Sequence, residues 1–260
     1  MSAAITIAFA NHKGGVGKTA AVAAIGSILA SKGYKVLMLD LDTQANLTRH
    51  FMSEIPERTI YDAIIERKDL PEYEIRKNLF LTPSCLDMAG VELNMSTMRR
   101  RENILTDLVN HVWYTYDYVL FDCPPSLGLV TMNALAVVQF VVVPMIADLM
   151  STYGLSMMDS FCSEMQDLNP GVSVNYIFFN RYEKKLNMTE AIEKDVREKY
   201  GDKVLKTVVR KNVKISEAAM EFTDIVSYDS GCSGARDFRA LTDELVKRIK
   251  LARKADPLFA

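Results

Sequence analysis

Residues 11–20 read NHKGGVGKTA, between a short β-branched run, ITIAFA at 5–10, and an alanine-rich segment with helical character that reaches Ser31. Gly14, Gly15 and Gly17 permit a turn that residues with a Cβ resist, and Lys18 and Thr19 follow where a helix would begin. A strand that feeds such a loop, and a helix that leaves it, restricts the architecture severely. Backbone N–H groups converge at the carboxyl end of the strand, and the helix N-terminus adds its positive end. This is the arrangement of a phosphate loop, G-x-x-x-x-G-K-[ST]. The match has a gap: His12 stands where the first glycine belongs, and a second lysine, Lys13, precedes the glycine pair.

The rest of the chain repeats the alternation. KVLMLDLD (35–42), NLFLTPS (78–84), YDYVLFD (116–122), FVVVPM (140–145) and VSVNYIFFN (172–180) read as further strands, with KVLKTVV (203–209) as an edge strand. Helical patterns cover about 87–112, 128–137, 151–167, 188–200 and 235–254. Near-continuous apolar strands separated by helices predict an α/β fold, a mostly parallel sheet covered on both faces. Such sheets bind ligands at the carboxyl ends of their strands, where residues 11–19 fall. With no linker or repeat in its 260 residues, the chain is expected to form a single domain, 1–260. Residues 50–77 carry the least regular pattern and read as a surface excursion.

Bulk charge and cysteine usage exclude several function classes. The net charge of −2 gives no global attraction to polyanions, so any such binding needs a local patch. Cys85, Cys123, Cys162 and Cys232 are widely spaced and form no C-x-x-C pair, which speaks against a zinc or redox motif. The longest apolar stretch, AVVQFVVVPMIA (136–147), is broken by Gln139 and Pro144 and is too short to span a bilayer. A cytoplasmic protein is expected.

A phosphate loop acts with Mg²⁺, and it needs carboxylates beside it. Lys18 is placed to reach β- and γ-phosphates and the Thr19 hydroxyl to ligate the metal. Asp122 ends YVLFD, and Asp40 and Asp42 end VLMLDLD, pointing the same way by strand alternation. Helix capping or turn formation is the alternative for Asp40 and Asp42.

The segments NHKGGVGKTA, VLMLDLDTQANLT, LTPSCLDMAGVEL, YDYVLFDCPPSLGLVTMNAL and VVRKNVKISEA resemble the ParA/Soj/MinD group of deviant phosphate-loop ATPases, and most of all the ParA (Soj) partition proteins. The resemblance runs from about residue 4 to 250 and implies a single P-loop NTPase domain that hydrolyses ATP with Mg²⁺. It implies that Lys13 reaches across an ATP-dependent homodimer to the partner's phosphates, with Gly14, Gly15, Val16, Gly17, Lys18, Thr19 and Ala20 around the nucleotide. Asp42 would position the hydrolytic water and lie near the metal through water. Asp122 would hold the metal through water, and Asn180 falls where relatives contact adenine. Thr43 replaces a usual proline and Ala20 a usual threonine, and neither change removes a reacting group.

The same resemblance implies non-specific double-stranded DNA as a partner, a ParB-like adaptor, and association with the nucleoid in the ATP state. Arg210, Lys211 and Lys214 are the candidate phosphate contacts, with Arg236 nearby. Gly231 and Ser233 stand where relatives carry further arginines. Arg99, Arg100 and Arg101 read as a solvated helix face. The alternative in the superfamily is a membrane-associated positioning ATPase. The basic amphipathic end DELVKRIKLARK bears on it, yet its apolar residues suit docking on the sheet.

Overall fold

The structure, a computed structural model, describes residues 3–183 and 187–255. Seven strands make one sheet in the order β3-β4-β2-β5-β1-β6-β7. They are β1 (Ile5–Phe9), β2 (Val36–Asp40), β3 (Tyr73–Arg76), β4 (Leu79–Thr82), β5 (Tyr118–Asp122), β6 (Phe140–Met145) and β7 (Val174–Phe179). Only the β3–β4 pairing is antiparallel. The carboxyl ends of β1, β2, β5 and β6 therefore meet along one rim.

Strand alternation divides the core in two. Val36 and Met38 face a cluster built with α1 (Lys18–Ser31) and α11 (Ser233–Ala255), whereas Leu37 and Leu39 face the opposite layer. That second layer contains α3 (Ile60–Glu66), α4 (Val91–Ser96), α5 (Ile104–Asn110), α6 (Leu129–Val137), α7 (Leu149–Glu164) and α8 (Asn187–Tyr200). On the first side, α2 (Asn46–Phe51), α9 (Lys214–Met220) and α10 (Ile225–Tyr228) crowd the rim near the start of α1. No helix among the described residues is long and apolar enough to cross a membrane.

Three sequence expectations fail for identifiable reasons. Residues 50–77 are not merely an excursion: they supply α3, whose Ile60 and Ile64 are fully buried, and the edge strand β3. A capping box seeds α3, in which Thr59 and Asp62 satisfy each other's backbone donors. The helix expected over 87–112 is broken into short pieces. The Ser96 and Thr97 hydroxyls bond back to Leu93 O and Asn94 O, and Arg100 adopts a left-handed φ of 51°. Residues 203–209 run along β7 but form no strand. Leu205 N donates to Ile177 O and Val209 N to Phe179 O, but between them Lys206 N and Thr207 N turn to the Glu244 carboxylate on α11.

Candidate active site

The chain leaves β1 at Phe9 and turns through residues 11–17 before α1 begins. Positive φ values at Gly15 (72°) and Gly17 (93°) account for two of the loop glycines, since residues with a Cβ are strained there. Gly17 has a second reason: a Cβ would lie 1.9 Å from Asn180 Nδ2. Asn180, at the end of β7, lies under the loop and donates to Val16 O at 2.8 Å. The loop is further pinned by Asn11, which donates to Pro144 O at 2.8 Å and accepts from Lys13 N at 2.9 Å.

Lys18 is 6% exposed, and its Nζ donates to Asn11 O at 3.2 Å and Lys13 O at 3.4 Å. Burial lowers its proton affinity, while Asp122, Cys123 and Asp42 work to keep it charged. The carboxylates come from neighbouring strands whose register sets Asp40 beside Asp122. Their environments differ. Asp40 accepts from Thr48 N and Oγ1, both at 2.8 Å, and from Asp42 N at 3.2 Å, so it anchors the start of α2. Asp122 is fully buried, and among the described residues neither of its carboxylate oxygens has a well-aligned hydrogen bond, the nearby Thr19 hydroxyl being the polar group that favours its charge. Burial and the nearby Asp40 push its pKa well above the usual carboxylate range, and Thr19 and Lys18 oppose that shift. Asp42 faces outward into a cavity of about 630 Å³ together with Gly14, Gly15, Gly17, Lys18, Thr19 and Ala20.

The sequence reading missed the outer wall of this cavity, formed by Asn46, Arg49 and His50 of α2 and by Ile215, Ala219 and Met220 of α9. Both helices are one or two turns long, too short for periodicity to reveal. His50 is 6% exposed, its Nε2 has no hydrogen-bond partner among the described residues, and burial lowers its pKa to about 4. Burial raises Asp40 to about 6.

These two shifts oppose each other in one pH window. Between about 6 and the ordinary carboxylate value, folded Asp40 holds a proton that the unfolded chain lacks, so acidification stabilises. Between 6.5 and about 4, unfolded His50 holds a proton that the folded chain lacks, so acidification destabilises. Asp122, raised in the same direction as Asp40, adds to the first effect, so His50 offsets only part of the rise in urea midpoint of the nucleotide-free protein as the pH falls. In His50→Asn, which retains a donor toward Thr223 O, the midpoint should rise more steeply than the parent's as the pH falls. A midpoint that falls instead would remove Asp40 from this account.

Lys13 does not stand free at the loop. Its ammonium pairs with Asp148, which caps α7 by accepting from Ser151 N at 2.7 Å. The pairing holds Asp148 below the usual carboxylate range, although burial works against it. Beside it, Leu149, Met150 and Tyr153 are exposed at 72%, 70% and 64%. Asn180 does not line the cavity; its amide is taken by Val16 O.

The basic segment expected to meet DNA is charge-balanced within the chain. Arg210 forms two side-chain bonds to Asp237 (2.9 and 2.7 Å), Lys211 pairs with Glu183 at 3.0 Å, and Lys214 pairs with Asp229 at 2.8 Å. Arg236 donates to Gly231 O at 2.6 Å.

A glycine loop capping the first strand of a parallel sheet, with a buried lysine and strand-end carboxylates at its mouth, defines a P-loop nucleoside-triphosphatase domain. The family profile described as an AAA domain matches residues 4–174. The chromosome-partitioning ATPase Soj of Treponema pallidum is 35% identical over 248 residues, covering 94% of this chain and 97% of that protein. The chromosome partitioning protein ParA of Caulobacter vibrioides is 31% identical over 250 residues, covering 93% and 94%. Among solved structures, the cobyrinic acid a,c-diamide synthase of Mycobacterium smegmatis with bound ADP and magnesium matches with a TM-score of 0.82 at 26% identity, covering 95% of this chain and 96% of that one. The chain belongs to the ParA/Soj family of partition ATPases.

Proposed function

We propose that the protein is a Mg²⁺-dependent ATPase, a single domain over 1–260, whose ATP-bound form is a homodimer. In this reading the dimer holds duplex DNA without sequence preference and partitions a plasmid or chromosome with a ParB-like adaptor. It works in the cytoplasm, on the nucleoid when ATP is bound. The observation that carries the reading is the paired-lysine loop: Lys18 buried under the glycines, and Lys13 at the exposed rim beside α7.

The residues present fit a nucleotide with its metal. Gly14 and Gly15 have open space where a Cβ would stand, leaving the backbone N–H groups accessible to phosphate oxygens. The orphaned Asp122 carboxylate and the Thr19 hydroxyl are hard oxygen donors suited to magnesium and its waters. Bound there, the metal supplies neutralisation of β- and γ-phosphate charge. Lys18 holds the phosphates, and Asp42, open to the cavity, orients the attacking water and takes its proton. Lys13 leaves Asp148 and adds positive charge to the phosphates of the other subunit. Loss of the γ-phosphate removes the charge that both Lys13 side chains share, and the dimer loosens.

Asp42→Ala is the direct test. It is expected to lower hydrolysis about a hundredfold while accumulating an ATP-bound dimer on size-exclusion chromatography with light scattering. A variant that hydrolyses ATP at the parent rate would remove Asp42 from this role. The membrane alternative finds less support, since Leu241, Leu245 and Ile249 of α11 are buried against the body of the protein.

A further inference from the structure

The C-terminal half of α11 carries KRIKLARK at 247–254, five basic residues in eight with no acidic one. Leu245 and Ile249 are buried, which turns Lys247, Lys250 and Lys254 to the exposed face at spacings of three and four residues. Among the described residues none of the three forms an ion pair. Lys250 Nζ donates to the Tyr34 hydroxyl at 3.1 Å and lies 5.6 Å from its ring centroid, contacts that bring no carboxylate to it. Asp243, which shares a groove of about 310 Å³ with the three lysines, is itself paired with Lys32. The 210–214 segment is the reverse: every one of its basic side chains has a carboxylate.

We propose that the lysine face of α11, rather than Arg210, Lys211 and Lys214, grips the phosphate backbone of duplex DNA. The inference rests on the partition reading above, which supplies DNA as the partner. Each of Arg210, Lys211 and Lys214 must give up a carboxylate before it can neutralise a phosphate, a small cost singly that recurs at all three, whereas an unpaired lysine only releases the phosphate's counterion. Lys247 to Lys254 spans about 10 Å of helix, enough for two or three successive phosphates of one strand. An anionic membrane fits this face less well. Insertion needs an apolar stripe beside the charges, and Leu251 is the one exposed large apolar side chain of α11.

In this reading nucleotide control comes from dimerisation, not from a conformational change in the face itself. Tyr34 precedes β2 and packs edge-on against Tyr118 at the start of β5, with ring centroids 5.2 Å apart, so the lysines lie at the end of the sheet opposite the phosphate loop. A single chain offers one such face. Two chains joined through their nucleotide sites carry two, one toward each end of the dimer, and for a duplex long enough to reach both the second contact becomes intramolecular.

The test is fluorescence anisotropy on a labelled duplex of random sequence, with ATP, over about 50 to 200 mM salt. K247Q/K250Q/K254Q is expected to bind roughly a hundredfold more weakly, with the slope of log K against log salt reduced by about three for each subunit engaged. R210Q/K211Q/K214Q should lose far less, and thermal unfolding of the α11 variant should match the parent, while the second variant, which strands Asp237, Glu183 and Asp229, unfolds somewhat earlier. If the second variant loses more than the first, the assignment to α11 is overturned while DNA binding stands. If the parent itself binds no duplex, the partition reading falls and this inference with it. If the α11 variant keeps its DNA affinity but the parent's binding to phosphatidylserine vesicles is lost, the face is a membrane surface and the proposal fails.

Discussion

Lys18→Ala is expected to lose ATP affinity by two to three orders of magnitude, measured by titration calorimetry. Among the described residues the ammonium is the only Lys or Arg cation buried at the base of the loop, and it is held there by two carbonyls, Asn11 O and Lys13 O. Truncating one member of a buried, hydrogen-bonded charge pair typically removes about 2–5 kcal/mol of binding. The carboxylates add to the loss. Without Lys18, the Asp42 carboxylate at the cavity faces the incoming phosphates with its nearest buried countercharge gone. Lys18→Arg should fare little better, because a planar guanidinium does not fit a seat shaped by two carbonyls around a compact ammonium. Binding by Lys18→Ala within tenfold of the parent would show that the backbone N–H groups hold phosphate unaided.

The loop and the sheet were legible in the sequence because their signals are local and dense. Strands such as FVVVPM are buried on both sides and read as continuous apolar runs, and three glycines followed by lysine and threonine admit few other conformations. What escaped was short or long-range. The helices α2 and α9 are six and seven residues long, so no period develops, yet they wall the cavity. Residues 203–209 have a strand's composition, but the ladder is broken by Glu244, a competitor some forty positions away. The charge pattern at 210–214 was visible, whereas its neutralisation was not, since Asp237, Glu183 and Asp229 are brought in by the fold. The motif marked Asn180 for the nucleotide, and the structure adds the reason that it lies at the loop: Gly17 leaves room for no Cβ above its amide.

Asp148 belongs to the same class of hidden partner, and with it the unusual lysine of the loop becomes testable. It follows β6, the strand beside β1, so parallel topology alone brings it to the rim where Lys13 emerges. Both side chains are about one-third exposed, and a pair so placed contributes at most about 1 kcal/mol. Triphosphate charge on a second subunit can therefore displace Asp148 readily, and the pair acts as a holding contact rather than a lock. Two variants separate holding from catalysis. Lys13→Ala is expected to bind ATP within a few-fold of the parent, because Lys18 is untouched, yet to hydrolyse it about a thousandfold more slowly, the scale of a cation supplied in trans to phosphoryl transfer. Asp148→Asn keeps the cap on Ser151 N and frees Lys13, so ATP-dependent dimerisation should shift to lower protein concentration by up to about fivefold. The parent's rate per chain should also rise with protein concentration, while that of Lys13→Ala stays flat. If Lys13→Ala retained both the parent rate and its concentration dependence, the second lysine would be a surface charge satisfied by Asp148, and hydrolysis would belong to each subunit alone.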